Sequence, residues 1–246
     1  MRVTRLFVEA PLQPGCELAL PAAPATHAVR VLRLKPGDAV TLFNGDGREY
    51  PARLLAAGPR DARVAIGSAA VPTRESPLQV TLVQAIARGE KMDWIIQKAT
   101  ELGVARIVPV ATARSEVKLD ASRGEKRLQH WRAVVVSACE QCGRNTLPRT
   151  DPPVTLAAWL AANPASPSAM RWMPHPEGTV RARDLRISPP ATLELAIGPE
   201  GGFGETDLTE LRASGFRELT LGPRILRTET AGIAAIAALQ ALYGDW

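Results

Sequence analysis

Residues 193–242 read LELAIGPEGGFGETDLTELRASGFRELTLGPRILRTETAGIAAIAALQAL. Two apolar strands are legible in this stretch. Each runs into a loop rich in glycine and proline, and each loop leads into a helix. The first loop follows Ile197 and reads Gly198-Pro199-Glu200-Gly201-Gly202-Phe203-Gly204. The second follows Leu221 and reads Gly222-Pro223-Arg224-Ile225-Leu226-Arg227. In open α/β sheets, ligands sit beyond the carboxyl ends of strands, and both loops fall there. Glycine lets backbone come close to a ligand. The pair therefore predicts a small-molecule site made mostly of backbone, although a tight structural turn explains the first loop equally well.

The usual phosphate loops are excluded. No Lys follows the glycines as a Walker A loop requires, and the dinucleotide fingerprint is absent. Glu200 would repel a pyrophosphate, so a neutral or cationic ligand such as a sulfonium fits better. Thr206 reads as the N-cap of the first helix, with Asp207 in its first turn. Thr228 and Thr230 read as caps of the second, whose apolar side is Ile233, Ile236, Ala237, Leu239 and Leu242. Gly232 inside that helix costs up to ~1 kcal/mol relative to Ala, which predicts close packing against another backbone or a partner subunit. Arg224 and Arg227 before a helix start oppose the macrodipole, so work on an anion would justify them.

Moving outward, residues 78–246 alternate strands with helices, as an α/β sheet covered on both faces does. Strands are expected over 78–86, 104–110 and 170–173. Helices are expected over 92–102, within 122–139 and over 154–162, the last led by Thr155 or Asp151. Residues 174–190 read as polar and irregular. Residues 71–77, VPTRESP, form a proline-bracketed linker. Before it lie short strands near 5–8, 38–43, 49–55 and 63–66, joined by turns such as Asn44-Gly45-Asp46-Gly47 and Gly58-Pro59. They predict a small β-barrel. Residues 27–34 carry apolar residues at helical spacing, with Arg30 and Arg33 three apart on one face. The pair fits an RNA grip or a solvated helix face.

The chain has 246 residues, 46% hydrophobic and 22% charged, with a formal net charge of +5. A basic balance rich in Arg suits a polyanion, while high-GC codon usage explains the same bias. No apolar run approaches the ~20 residues of a membrane span, and the N-terminus lacks a signal-peptide core. A cytoplasmic protein is expected. Cys16, Cys139 and Cys142 make an odd count, against a disulfide framework. Cys139 and Cys142 form a CxxC that closes a helix and has no second ligand pair, so no metal is expected.

The two loops, with Leu221-Gly222-Pro223-Arg224-Ile225-Leu226-Arg227-Thr228-Glu229-Thr230-Ala231, resemble the RsmE family. These are 16S ribosomal RNA uridine-N3 methyltransferases of the SPOUT, or trefoil-knot, superfamily. The resemblance extends over the whole chain, through residues 27–38, through 91–104 with Lys91, and through Glu140-Gln141-Cys142-Gly143-Arg144. That last segment has Cys142 where the family pattern has Ser. The resemblance implies a PUA-like β-barrel RNA-binding domain over 1–71 and a knotted α/β methyltransferase domain over 72–246. It also implies a homodimer, S-adenosyl-L-methionine as methyl donor, and 16S rRNA of the small ribosomal subunit as partner. Such a knot departs from the rule that chains do not thread loops.

On this resemblance, Ile197, Gly198, Pro199, Glu200, Gly201, Gly202, Leu221, Gly222, Ile225, Leu226, Arg227 and Thr228 hold the donor, with Met173 as an apolar wall. Arg227 stabilises negative charge on the uracil imide, and Glu229 or hydroxide takes the proton. Arg30, Arg33, Lys91, Arg114, Gln141 and Arg144 are the expected RNA contacts. His27, His130 and His175 lie outside the matched loops. Two other readings remain open: a knotted methyltransferase acting on transfer RNA, and a non-catalytic ribosome-assembly factor.

Overall fold

The computed structural model describes residues 3–58, 61–115, 121–189 and 191–246, and of 121–123 the helical backbone alone. Pro59, in an expected turn, and Pro190, at the end of the expected irregular segment, lie outside the described residues. The chain divides into two units, Met1–Glu75 with Val136–Leu147, and Ser76–Val135 with Pro148–Trp246.

In the first unit, strands β1 (Thr4–Phe7), β2 (Glu17–Ala19), β3 (Ala39–Phe43), β4 (Tyr50–Ala57) and β5 (Ala62–Ile66) form one sheet in the order β1-β3-β4-β5-β2. Only β1 and β3 run parallel. Period-2 alternation drives it: Tyr50, Ala52 and Leu54 of β4 are buried while Pro51, Arg53 and Leu55 are exposed. The β3–β4 connection turns on Gly45 and Gly47, at φ 92° and 85°. Asp46 braces it, accepting from Arg48 N–H at 2.8 Å and from the Tyr50 hydroxyl at 2.7 Å.

The helix expected over 27–34 is displaced. Helix α1 (Ala22–Thr26) precedes it, and the chain then widens into a π-turn over His27–Val31. Pro24 is tolerated in α1 because its missing N–H belongs to the unbonded first turn. Leu32 N–H closes the π-turn on the His27 carbonyl at 3.0 Å. Arg33 then adopts φ 54°, left-handed backbone costing roughly 1 kcal/mol in a residue with a Cβ. Pro36 disfavours helix at Lys35. Arg30 and Arg33 are both exposed, but they share no helix face.

The last turns of the long helix α3 (Ala121–Cys142) and the residues after it belong to this first unit. Glu140 Oε1 accepts the N–H of Phe7 at 3.0 Å on edge strand β1. Arg5 bonds the Arg144 carbonyl and Glu49, and its guanidinium lies 4.8 Å from the Phe43 ring centroid. Arg74 bonds Glu49 and the Gly143 carbonyl. Burial pushes the Glu49 carboxyl up, but Arg74 and Arg5 outweigh it and hold it below the usual range. Arg74 and Glu75 both bind within 136–147, so these residues of the linker at 71–77 pack with the first unit.

In the second unit, the strands are β6 (Leu78–Ala85), β7 (Arg106–Ala111), β8 (Arg149–Thr150), β9 (Val154–Thr155), β10 (Ala169–Pro174), β11 (Val180–Arg181), β12 (Ala191–Ile197) and β13 (Arg217–Thr220). All pair in parallel, in the order β11-β13-β10-β12-β6-β7-β8, with β9 beside β7. β6 is buried except at Gln79, as a central parallel strand should be. On one face, α4 (Leu156–Ala162) and α5 (Glu205–Ala213) supply Leu156, Trp159, Leu160, Leu208 and Leu211 to the core. α6 (Thr228–Tyr243) packs on β6 and β12 and against α2 (Lys91–Glu101). A Cβ on Gly232 would sit 3.3 Å from Ile197 and 3.5 Å from Leu82, so its close neighbours are side chains, not backbone.

Several helix boundaries differ from the sequence reading. α4 begins at Leu156, because Val154 and Thr155 pair with β7; Thr155 caps it by accepting from Ala158 N–H at 3.1 Å. The N-cap of α5 is Gly204, not Thr206; Asp207 reaches back to accept Gly204 N–H at 2.9 Å. The N-cap of α6 is Arg227, and neither Thr228 nor Thr230 caps it. Leu242 is 47% exposed, off the buried side of α6. Segment 174–190 contains β11 and a 3-10 turn over Ala182–Asp184. Among the described residues, no helix is long and apolar enough to cross a membrane.

Candidate active site

The sheet order puts β12 and β13 on either side of β10. Their carboxyl ends therefore lie next to one another, and the loops they launch share one cavity of about 600 Å³. Gly198, Pro199, Glu200 and Gly202 line it from the first loop, and Ile225, Leu226 and Arg227 from the second. Pro174, His175 and Pro176, where β10 ends, complete the wall.

The first loop folds on itself. Gly202 N–H bonds the Pro199 carbonyl at 2.9 Å, and a Cβ on Gly198 would lie 3.0 Å from Phe203 N. Arg114 bonds the Gly201 carbonyl at 3.0 Å from outside. The Thr228 hydroxyl donates to the Gly198 carbonyl at 2.6 Å and accepts from Gln84 Nε2 at 3.1 Å. Gln84 is fully buried in β6, so a polar relay ties the central strand, the glycine loop and the start of α6 together.

Lys91 stands between two carboxylates, with Nζ 3.2 Å from Glu200 Oε1 and 3.7 Å from Glu229 Oε2. Burial pushes the Glu200 carboxyl up, but its own and the Arg88 backbone N–H groups, with Lys91, hold it below the usual range. Two carboxylates against one ammonium leave this trio with one net negative charge. Glu229 Oε2 is enclosed and has no hydrogen-bond partner among the described residues. Arg227 is exposed on the cavity wall, and among the described residues no ion pair or hydrogen bond holds its guanidinium.

The expected residues sort as follows. Ile197, Gly198, Pro199, Glu200, Gly202, Ile225, Leu226, Arg227, Thr228 and Glu229 line the cavity. Leu221 and Gly222 line a smaller adjoining one that shares His175, Ile225 and Leu226 with it. Gly201 lines neither and instead presents its carbonyl to Arg114. Met173 does not wall the cavity: strand alternation turns it into the core beneath α4 and α5, where it is 0% exposed. Lys91 and Arg114, expected on RNA, line this cavity and are engaged there.

Arg30, Arg33, Gln141 and Arg144 belong to the first unit. The first three are exposed. Arg144 is 6% exposed and doubly bonded to Glu75, so its guanidinium is engaged within the first unit. A hydrogen bond with Cys142, then burial, pushes the Cys139 thiol up. Among the described residues no cluster is suited to a metal. Sequence reasoning missed Gln84 and the part played by Pro174 and Pro176. A buried-parity Gln near the end of a nearly unbroken apolar strand was the available signal for the first.

A parallel sheet with a backbone-walled cavity at the ends of strands set between earlier ones is the architecture of a ligand-binding α/β domain. Residues 74–240 match the family model of the RNA methyltransferase domain, and residues 22–67 that of the RNA methyltransferase PUA domain. The chain belongs to the ribosomal RNA small subunit methyltransferase E family, the one its two loops resemble. It is 32% identical over 244 residues to the ribosomal RNA small subunit methyltransferase E of Buchnera aphidicola subsp. Schizaphis graminum, covering 99% of this chain and 98% of that protein. The Bacillus subtilis protein of the same name is 31% identical, with 89% of each chain covered. Among solved structures, ribosomal RNA small subunit methyltransferase E from Neisseria gonorrhoeae, bound to S-adenosyl methionine, is 38% identical with a TM-score of 0.92. A putative methyltransferase from Legionella pneumophila, in complex with S-adenosylmethionine, is 39% identical with a TM-score of 0.94. In both cases all of both chains is covered.

Proposed function

We propose that this protein methylates N3 of uracil at one uridine of 16S rRNA, with S-adenosyl-L-methionine as donor. The carrying observation is the single cavity walled by both loops, with Arg227 and Glu229 at its edge. Its volume suits a nucleoside-sized ligand. Ile225, Leu226 and Phe203 offer apolar surface to an adenine, and the glycine-loop backbone offers hydrogen bonds to its edge. The net negative Lys91–Glu200–Glu229 trio suits a cationic sulfonium. When bound, the donor supplies a methyl group that is already electrophilic, so no metal is needed. Arg227 stabilises charge on the uracil imide, and Glu229 Oε2 accepts the N3 proton.

The same reading takes the second unit as a trefoil-knotted domain, supported by the placement of β12 and β13 between strands formed earlier in the chain. It takes the first as a PUA-like domain that carries RNA contacts, and places the protein in the cytoplasm with its rRNA. Homodimer formation is supported by the outer side of α6, where Ala241 and Leu242 are exposed beside half-buried Ala234, Ala237 and Ala238.

Methyl transfer to small subunits from cells lacking the protein, followed by mass spectrometry of nucleosides, tests the reading. 3-Methyluridine is expected in 16S rRNA; a different methylated nucleoside, or no product, overturns it. Arg30→Ala with Arg33→Ala should cut the salt dependence of RNA binding by about 1.5 in log–log slope. An unchanged slope places the RNA elsewhere. Gln84→Met keeps volume but leaves the Thr228 hydroxyl without its donor. Donor affinity by calorimetry should fall about five- to tenfold. Full affinity would show that the relay does not shape the site.

A further inference from the structure

The donor cavity is not the only concavity of the second unit. Across the turn at 87–91 lies another, of about 340 Å³. Its floor is Ile86, Ala87, Met92 and Trp131, none more than 3% exposed. Its rim is polar, formed by Glu90, Asp93, Arg127 and His130. His130 Nε2 lies 2.6 Å from Asp93 Oδ2, and both side chains reach solvent. Arg127 Nη1 is enclosed and meets no hydrogen-bond acceptor among the described residues. Gly89, at φ 55°, lets the turn double back. The opposite side of this turn serves the donor cavity, where Arg88 N–H and Lys91 both bond Glu200 at 3.2 Å.

We infer that this second cavity receives the base of a nucleotide flanking the methylated uridine; the inference rests on the RNA-methylating reading above. A base offered to an enzyme must leave its stack, and the strand around it then needs its own anchor. An apolar slot of this volume admits one base with its ribose. A base edge presents donors and acceptors in one plane. The Asp93 carboxylate accepts from a ring or exocyclic N–H, and Arg127 donates to a carbonyl or ring nitrogen. A simple anion would have little use for the apolar floor and would meet the carboxylates of Glu90 and Asp93 at the rim. The shared turn gives the function of the arrangement: a base seated on one side bears on the wall that carries Lys91 and Glu200 on the other.

The test uses the full chain and small subunits from cells lacking it. With p-benzoylphenylalanine in place of the exposed His130, photo-crosslinks should map within about two nucleotides of the methylated uridine. Arg127→Met should raise KM for subunits about tenfold while kcat and donor affinity stay within about twofold. A variant that only loosened α3 would lower thermal stability and donor affinity together, and would not single out KM. Crosslinks to distant RNA or to a second copy of the chain overturn the inference, as does an unchanged KM. If Arg127→Met fails to fold, the crosslink alone decides. Methylation of the expected uridine with a distant crosslink removes this inference only; no methylation by the wild-type protein removes the functional reading and this inference with it.

Discussion

Arg227→Ala should lower methyl transfer by about two to three orders of magnitude, the cost of losing one preorganised donor to a developing anion. Donor affinity, read by calorimetry, should change by less than about threefold, because backbone does most of the holding. The reason lies in how the cavity's charges are shared. Lys91 is already committed to Glu200 and Glu229. Arg114 is committed to the Gly201 carbonyl. Arg227 is the lining cation with no partner among the described residues. Uracil N3 becomes nucleophilic only as its proton leaves, and the charge then spreads onto the carbonyl oxygens on either side. A planar guanidinium can meet such an oxygen with fixed geometry. Arg227→Lys should therefore recover only part of the rate. Folding should be spared, since Arg227 is exposed and, as N-cap of α6, sits where a cation opposes the macrodipole. Transfer within a few fold of wild type would remove Arg227 from the chemistry.

The fold was legible wherever local pattern and tertiary environment agreed. β6 reads as a nearly unbroken apolar run because it is central and covered on both faces. β4 alternates because one face alone is buried. The two glycine loops were legible as strand-end loops of a small-molecule site, but the strand order that brings them together was not. Their meeting depends on β10 lying between β12 and β13, an order set by non-local pairing that no window of sequence carries. Met173 shows the same limit at one residue. It is apolar and near a strand end, yet its parity in β10 points it into the core, and parity follows from register. The burial of Arg144 is likewise not legible locally, because the chain around it is polar. Its partner Glu75 is 69 residues away in sequence. The helix starts failed for a subtler reason. Thr206, Thr228 and Thr230 have good capping side chains, but Asp207 already satisfies Gly204, and the Thr228 hydroxyl is taken by the Gly198 carbonyl.

Gly198→Ala should weaken donor binding by about ten- to a hundredfold, the cost of overpacking a closed site. The added methyl would sit 3.0 Å from Phe203 N, 3.2 Å from Gly202 C and 3.3 Å from Gly202 Cα. All three are backbone atoms of the same loop, so no side chain can swing away, and the loop itself must open. Opening pulls the Gly198 carbonyl from the Thr228 hydroxyl, and Thr228 stands between Arg227 and Glu229 at the start of α6. Loss of donor affinity should therefore come with a fall in kcat at saturating donor. Gly202 supplies the contrast. Its φ of 69° favours glycine, but a Cβ there meets nothing within 4 Å. Gly202→Asn, a residue that tolerates left-handed backbone, should keep affinity within about fivefold. The pair separates space from conformation as the reason for glycine in the loop. If Gly202→Asn proves the more damaging, conformation governs. If Gly198→Ala binds the donor normally, the loop is not the close-fitting wall that the 3.0 Å approach describes.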